Sequence, residues 1–218
     1  MKKIFSIIIF VFVLNTLTDI HANNINILKE QIKQEHDNFP IGDLNDVEFV
    51  KKIINQMFLK DQEIRQYFIK YSNDSEFRDL VINLDRFNTL KMKEILSVHG
   101  WVSISKFGAN ADDQAWLLVQ HADHDPFFQA GCLFILGTLI DKAETVKKNY
   151  AFLYDRVALK FPSLGLKQKY GTQVKIENNK FELLPHEGSI ETLNIERGKM
   201  GLNSIEEYME VIKKLYDK

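Results

Sequence analysis

The sequence predicts a mainly α protein, a single-domain helical bundle with a small β-hairpin near the C-terminus. Along most of the chain, apolar residues recur every three or four positions, which is the spacing of a helix that buries one face. Only 4 proline and 10 glycine residues occur among 218, too few for the many tight turns of an all-β fold. One late stretch places β-forming residues on both sides of a short polar segment, which is typical of a hairpin.

The N-terminus has the features of a signal peptide, which we assign to residues 1–22. Lys2 and Lys3 form a positive start, an apolar run covers residues 4–14, and Ala22 offers a cleavage site. The run is shorter than the roughly 20 residues that span a bilayer. We therefore expect an exported protein, periplasmic or extracellular, with no membrane span after cleavage. An uncleaved N-terminal anchor is the alternative.

The remaining residues, 23–218, are predicted to form one domain, because no repeat, low-complexity tract or long linker divides them. The first half is predicted to hold four helices, each with apolar residues on one face. The first covers residues 24–37, and the second is capped by Asn45 and extends from Val47 to Phe68. The third is capped within residues 72–75 and stops near Gly100. After a connector over residues 101–108, the fourth begins at residues 110–113 and extends to His121.

The second half begins with Asp125 and Pro126, which predict an N-cap and a first helical residue. The helix that follows, residues 127–142, is so apolar that we expect it to be the central one. The remaining predicted elements are a helix over residues 149–159, two strands within residues 170–176 and 181–184, a polar loop that contains Arg197, and a last helix that Ser204 caps.

Composition and motifs exclude several classes of function. The 28 basic and 30 acidic residues are interspersed and give a net charge of -2, so the sequence has no basic patch for nucleic acid. A single cysteine, Cys132, lies in an apolar run and predicts a buried side chain rather than a nucleophile. The chain lacks a Gly-x-Ser-x-Gly elbow, a phosphate-binding glycine loop and a dinucleotide fingerprint, and we predict no cofactor.

The segment that best suggests chemistry is Gln120 to Pro126, where an apolar helix ends in two histidines and two aspartates. A histidine titrates near neutral pH and a nearby carboxylate can orient its ring, so His121 and Asp123 suit general acid/base work. The alternative is that His121 is a core histidine and that Asp123 and Asp125 are helix caps. We predict no metal site, because neighbouring helix positions do not face each other and the paired-histidine spacing of a zinc helix is absent.

Other polar groups carry less specific signals. Asp61 and Arg65 are four residues apart on one helix face, which usually gives a surface ion pair of small value. Asp155 and Arg156 close an apolar helix, where a partly buried arginine needs a carboxylate partner. Arg197, in its predicted polar loop, would either bind an anion or be solvated.

Several short motifs nevertheless occur together along the chain. They are, in order, Asp61-Gln62-x-x-Arg65, Asp85-x-x-Asn88, Gly100-Trp101, Gln120-His121-Ala122-Asp123, Gln129, Asp155-Arg156-Val157, Gly165-x-x-Gln168-x-Tyr170-Gly171-Thr172-Gln173 and Arg197-x-x-x-Gly201-Leu202. This ordered set resembles an uncharacterised bacterial family, a domain of unknown function, over most of the mature chain. The family's usual proline after Gly-Trp is Val102 here, which we expect to affect only loop shape. Because the family has no established activity, the resemblance implies a fold and site residues but no reaction.

The recurring positions of that family are mostly polar, which implies polar groups that converge on one pocket. The predicted catalytic residues are His121, Asp123 and Asp155. The predicted ligand-binding residues are Asp61, Gln62, Arg65, Asp85, Asn88, Trp101, Gln120, Gln129, Arg156, Gln168, Tyr170, Thr172, Gln173 and Arg197.

Three interpretations of this polar set follow. The first is a metal-independent hydrolase or transferase for a polar envelope substrate, with His121 as general base, oriented by Asp123 or Asp155. The second is a non-catalytic periplasmic binding or interaction protein that recognises a small polar ligand or a peptide. The third is an internal network that fixes helix packing. In the enzyme, Arg65, Arg156 or Arg197 would bind an anionic group of the substrate. Gln168 and Gln173 would position the substrate.

Overall fold

Helices dominate the computed structural model, which describes residues 23–67, 71, 74–177 and 180–216. The predicted mainly α fold with a small C-terminal hairpin is confirmed. Within the described residues, no helix combines the length and the apolar character that crossing a membrane requires. The predicted signal peptide lies outside the described residues.

The described residues form two compact units, residues 23–125 and residues 126–216, called here the N-terminal unit and the C-terminal unit. That residues 23–218 behave as one domain stays a prediction. The helices of the N-terminal unit are α1 (Asn23–Asp37), α2 (Val47–Arg65), α3 (Ser75–His99), α4 (Ile104–Phe107) and α5 (Ala109–Gln120). The elements of the C-terminal unit are α6 (Pro126–Leu139), a 3₁₀ turn (Ile140–Lys142), α7 (Lys147–Lys160), a 3₁₀ turn (Pro162–Leu164), β1 (Val174–Glu177), β2 (Lys180–Leu183), α8 (Ile190–Lys199) and α9 (Ile205–Tyr216).

Helix α1 confirms the first predicted helix, and its apolar positions are buried as their spacing predicts. Ile25, Leu28 and Ile32 belong to a core cluster that includes Phe77 and Leu84 of α3. Helices α2, α3 and α5 also pack against one another. The N-terminal unit therefore has a core in which α3 contacts α1, α2 and α5.

The caps of α2 and α3 are aspartates. The carboxylate of Asp46 accepts hydrogen bonds from the backbone of α2, so the prediction that Asn45 is the cap was wrong. Asn45 instead donates from its backbone N and its Nδ2 to Asp43 Oδ1, which holds it in a turn before the helix. Asp74 caps α3, and Gly100, with a φ of 68°, ends it where the sequence predicts.

Helix α6 is not central to the fold, contrary to the expectation from its apolar composition. Only Gln129, Cys132 and Leu136 are buried in it, while Phe127 and Phe134 are each 77% exposed. In α5, by contrast, every residue from position 114 to position 120 is buried. Apolar content alone did not identify the more enclosed helix, because folded proteins keep many apolar groups on their surface.

The C-terminal unit contains the predicted hairpin and one helix that the sequence analysis missed. Strands β1 and β2 pair antiparallel with Val174 opposite Leu183, although residues 178 and 179 of the predicted turn lie outside the described part. Helix α8 occupies the segment predicted as a polar loop, and Ser189 caps it by accepting a hydrogen bond from the backbone N of Thr192. The prediction that Ser204 caps the last helix is confirmed by its bond from the backbone of that helix.

Candidate functional site

Three helices of the N-terminal unit bring a histidine, an arginine and two aspartates into contact. Asp61 and Arg65 are one turn apart on α2, and Asp85 lies on the adjacent α3. His121 is the C-cap residue of α5, where the chain leaves the helix. Because α2 packs against both α3 and α5, its polar turn faces both of these partners.

The hydrogen bonds within this group converge on Asp61. Its Oδ1 lies 2.9 Å from His121 Nδ1 and accepts a hydrogen bond of 3.1 Å from Arg65 Nε. Its Oδ2 accepts a bond of 2.8 Å from Gln62 Nε2. Arg65 also donates from a terminal nitrogen to Asp85 Oδ1, so its guanidinium joins the two carboxylates. We call Asp61, Gln62, Arg65, Asp85 and His121 the His121 cluster.

The centre of the cluster is buried and the Arg65 side chain is only 14% exposed, which overturns the interpretation of Asp61 and Arg65 as a surface ion pair of small value. Asp61 is 0% exposed and His121 is 6% exposed. Burial by itself would raise the pKa of Asp61, but the charge of Arg65 and the contact with His121 outweigh it and hold that pKa well below the ordinary aspartate value. For Arg65, burial opposes the charged form, and the two carboxylates raise its pKa above the ordinary value nonetheless.

The depressed pKa of Asp61 predicts a loss of stability in acid. A carboxyl group whose pKa is lower in the folded state stabilises that state above the unfolded-state pKa, about 3.9. That contribution is lost as the pH falls below about 4 towards the folded-state pKa, because protonation then favours the unfolded chain. An Asp61→Asn variant should therefore show a flatter dependence of its melting temperature on pH below about pH 4 than the parent protein. Equal slopes for the two proteins would show that protonation of Asp61 does not cause the loss of stability in acid. Asp79→Asn, at an exposed position, is the control.

The contact between His121 and Asp61 determines which ring nitrogen can react. An ionised carboxylate only accepts hydrogen bonds, so Nδ1 of His121 must carry a hydrogen. In the neutral ring, Nε2 is then the proton acceptor. A buried aspartate that fixes the histidine tautomer in this way is the arrangement of a general base.

The sequence analysis had paired His121 with Asp123 or Asp155 for this orienting role, and the structure assigns the Nδ1 contact to Asp61. Asp123 is exposed, and its charge contributes to the field at Arg65. The signal that could have identified Asp61 was its motif with Gln62 and Arg65, which the sequence analysis placed among ligand-binding residues.

The cluster contains metal-ligand side chains, and Arg65 competes with a metal for them. Donor atoms of Asp61, Asp85 and His121 lie within 4.8 Å of one another, a separation that would suit one ion. The guanidinium of Arg65, however, already bonds both carboxylates. A metal ion would have to displace this cation, so the donor set fits an internal ion-pair network better than a metal centre.

Three other predicted residues of the N-terminal unit, Trp101, Gln120 and Asn88, are also buried. Trp101 Nε1 donates a 2.7 Å bond to Asp112 Oδ1, and both side chains are buried. This bond fastens the connector to the first turn of α5, a role for Asp112 that the sequence analysis had missed. Gln120 and Asn88 are buried as well, on α5 and on α3.

In the C-terminal unit, Asp155 of α7 organises the loop that precedes the hairpin. Its Oδ1 accepts bonds from the backbone N of Lys169 at 2.7 Å and of Tyr170 at 3.1 Å. Its Oδ2 accepts from the backbone N of Thr172 at 2.8 Å and from the hydroxyl of Thr172 at 2.9 Å. Burial raises the pKa of Asp155, and these four bonds oppose that shift. Its carboxylate therefore anchors the loop.

Gln168 of this loop bonds to backbone groups before and after the hairpin, and Gln173 Nε2 donates to the Thr172 hydroxyl. Gln168 Nε2 donates to the carbonyl oxygens of Gln173 and Leu184, each at 2.9 Å, and Gln168 Oε1 accepts from the backbone N of Gln173. Gly171 between them has a φ of 62°, and a Cβ there would lie 2.6 Å from Leu193 Cδ2. Only glycine fits this position, because both the backbone angle and the space exclude a side chain.

Arg197 is neither in a loop nor solvated, so the predicted loop and the solvated alternative were wrong, and anion binding stays a prediction. It lies in the last turn of α8 and is 1% exposed. Its Nε donates to the carbonyl oxygen of Asn203 at 2.5 Å and its Nη1 donates to that of Tyr170 at 2.7 Å, while the guanidinium lies over the Tyr208 ring. A buried arginine that satisfies carbonyl groups stabilises the loop, which a solvated one would not.

The predicted site residues thus fall into two sets. One set is the His121 cluster with Asn88, Trp101, Gln120 and Asp123 in the N-terminal unit. The other is the Asp155 loop with Gln168, Tyr170, Thr172, Gln173 and Arg197 in the C-terminal unit, where Gln129 and Arg156 are also buried. That all of them line one pocket stays a prediction.

Comparison with known proteins places the chain in a family. The model of a family of unknown function, DUF6624, matches residues 48–218. The chain belongs to this family. The DUF6624 region contains both the His121 cluster and the Asp155 loop, whereas α1 precedes it. No curated protein and no solved structure matches the chain.

Proposed function

We propose that this DUF6624 protein is a metal-independent hydrolase or transferase in which His121 acts as general acid/base on a polar substrate. The observation that carries the proposal is the 2.9 Å contact between His121 Nδ1 and the buried carboxylate of Asp61. When the ring is neutral, this contact makes Nε2 the nitrogen that accepts a proton from water or from a substrate hydroxyl. The negative charge of Asp61 then stabilises the imidazolium that forms.

In this proposal the other members of the cluster position the catalytic pair. Arg65 donates to both Asp61 and Asp85, so its role is to keep Asp61 ionised and fixed in place. Gln62 holds the second oxygen of Asp61. These bonds restrict the rotation of the Asp61 carboxylate. They therefore also restrict the orientation of the His121 ring that contacts it. Pre-organisation of this kind reduces the reorganisation that the reaction requires.

The enzymatic proposal is tested by turnover with a matched pair of histidine variants. The mature protein would be assayed against chromogenic esters, phosphoesters, amides and glycosides and against peptidoglycan fragments. On the substrate class that is turned over, His121→Asn should lower the rate by about 10²- to 10⁴-fold, the usual contribution of a general acid or base. His124→Asn is the control, because His124 is exposed three residues away. A folded His121→Asn variant with full turnover would contradict the assignment.

The second candidate function is a non-catalytic protein that binds a small polar ligand. One observation favours it: no nucleophile motif accompanies His121 in the sequence. A thermal-shift screen against metals, nucleotides, sugars and peptidoglycan fragments separates the two functions. A ligand that binds the native state raises the melting temperature by mass action. Stabilisation without turnover would support the binding protein.

Export through an N-terminal signal peptide is part of the same proposal. When the full chain is produced in a bacterial host, the exported protein should have the mass of a chain that begins at Asn23, because cleavage is expected after Ala22. Ala22→Trp should block cleavage, since signal peptidase sites require small residues. A chain that keeps Met1 and stays in the cytoplasm would contradict export, and a chain that keeps Met1 in the membrane fraction would identify an anchor.

A further inference from the structure

A small cavity lies in the N-terminal unit where α1, α2 and α3 meet. It is lined by residues of all three helices, among them His36, Met57 and Asn88. Its volume is about 10 Å³, at the lower limit of the space that one water molecule needs. The cavity is distinct from the His121 cluster, none of whose members lines it.

Two polar atoms at this cavity are buried without a hydrogen-bond partner. They are Asn88 Nδ2, on a side chain that is 2% exposed, and His36 Nε2. Buried polar atoms in folded proteins are almost always hydrogen-bonded, and an exception usually indicates an ordered water or ion. The two observations, space for one small molecule and unsatisfied nitrogens on two residues that line it, are independent.

The surroundings of His36 limit its choice of a partner. The His36 ring stacks on Phe87 with 3.8 Å between the ring centroids and 13° between the planes, which restricts its rotation. The nearby ammonium of Lys60 bonds Glu35 at 3.1 Å and Glu63 at 2.7 Å. Its hydrogens are therefore directed at carboxylates. Burial also lowers the pKa of His36, which favours the neutral ring with one nitrogen free to accept.

We propose that this cavity binds one ordered water molecule, which accepts a hydrogen bond from Asn88 Nδ2 and donates one to His36 Nε2. A water molecule is the ligand class that fits, because it both accepts and donates and has the volume of the cavity. The water joins α1 to α3 one turn from Asp85, which bonds Arg65. It thus connects the helix that precedes the DUF6624 region to the helix that supports the His121 cluster.

A crystal structure of the mature protein at high resolution tests the proposal directly. We expect one density peak in the cavity, about 2.7 to 3.2 Å from both Asn88 Nδ2 and His36 Nε2. The Asn88→Leu variant should lose this peak, because leucine removes the donor and fills part of the space. An empty cavity, an Asn88 side chain turned to a protein partner, or a peak at the roughly 2.1 Å of a metal–nitrogen bond would overturn it.

A double-mutant cycle in solution provides the second test. His36→Phe keeps the stacking on Phe87 and removes the ring nitrogen, while Asn88→Leu removes the amide. If one water couples the two side chains, their effects on the unfolding equilibrium constant should depart from additivity by roughly twofold or more. His36→Phe combined with Asn83→Leu is the control, because Asn83 is exposed on the same helix. Additive effects in both pairs would overturn the proposal.

Discussion

Replacement of Asp61 by alanine is expected to lower the free energy of unfolding by about 3 to 5 kcal/mol, the usual effect of removing one partner from a buried ion pair. Asp61 is fully buried and is the acceptor for Arg65, Gln62 and His121. Its removal leaves the Arg65 guanidinium bonded to only one of the two carboxylates, that of Asp85, and takes away the oxygens that Gln62 and His121 contact. Denaturation by urea, followed by circular dichroism, measures the change.

An exposed aspartate provides the matched control for this experiment. Asp79 lies on α3 at an exposed position, and Asp79→Ala should change the free energy of unfolding by no more than about 0.5 kcal/mol. Asp61→Asn should fall between the two, because the amide keeps one acceptor oxygen but loses the charge that balances Arg65. If Asp61→Ala is as stable as Asp79→Ala, the His121 cluster is not the buried network described above.

The second large effect is expected at Asp155, whose replacement by alanine should cost about 3 to 4 kcal/mol. The carboxylate accepts four hydrogen bonds from the loop between residues 169 and 172. Each buried donor left without a partner costs about 1 to 3 kcal/mol, and water that enters the vacated space recovers part of the sum. Besides the loss of stability, the backbone amides of Lys169, Tyr170 and Thr172 should exchange with solvent faster, which hydrogen-exchange mass spectrometry or NMR detects.

The control for Asp155 is Asp141, which lies in the same unit at an exposed position. Asp141→Ala should leave both stability and amide exchange of the loop unchanged. Unaltered exchange of the three amides in a folded Asp155→Ala variant would show that the loop is held by other contacts. Arg197, which donates to the carbonyl oxygen of Tyr170, would then be the next residue to test.

Sequence patterns identified the elements whose signals are local. The apolar spacing of α1, the stop of α3 at Gly100 and the alternation in the hairpin all depend on neighbouring residues. Helix α8 was missed because its only buried residues are Leu193 and Arg197. A helix that buries an arginine shows almost no apolar stripe, so periodicity cannot distinguish it from a polar loop.

The site was predictable in its residues but not in its pairings. His121 stood out because a histidine closes an apolar helix. Its partner Asp61 is 60 residues away in the chain, and only the packing of α2 on α5 brings the two side chains together. The burial of Asp61 and Arg65 was missed for the same reason. Their spacing of four residues is identical in a solvated pair and in an enclosed one.

The contact between Asp61 and His121 is tested most directly by the tautomer of the His121 ring. A long-range ¹H–¹⁵N correlation spectrum of the ¹⁵N-labelled protein, with His121 assigned by comparison with His121→Asn, reports which ring nitrogen carries the hydrogen. At a pH where the ring is neutral, we predict hydrogen on Nδ1 and a bare Nε2, with that preference weakened in Asp61→Asn. A neutral His121 with hydrogen on Nε2 and a bare Nδ1 would contradict the account, because a bare Nδ1 cannot donate to Asp61.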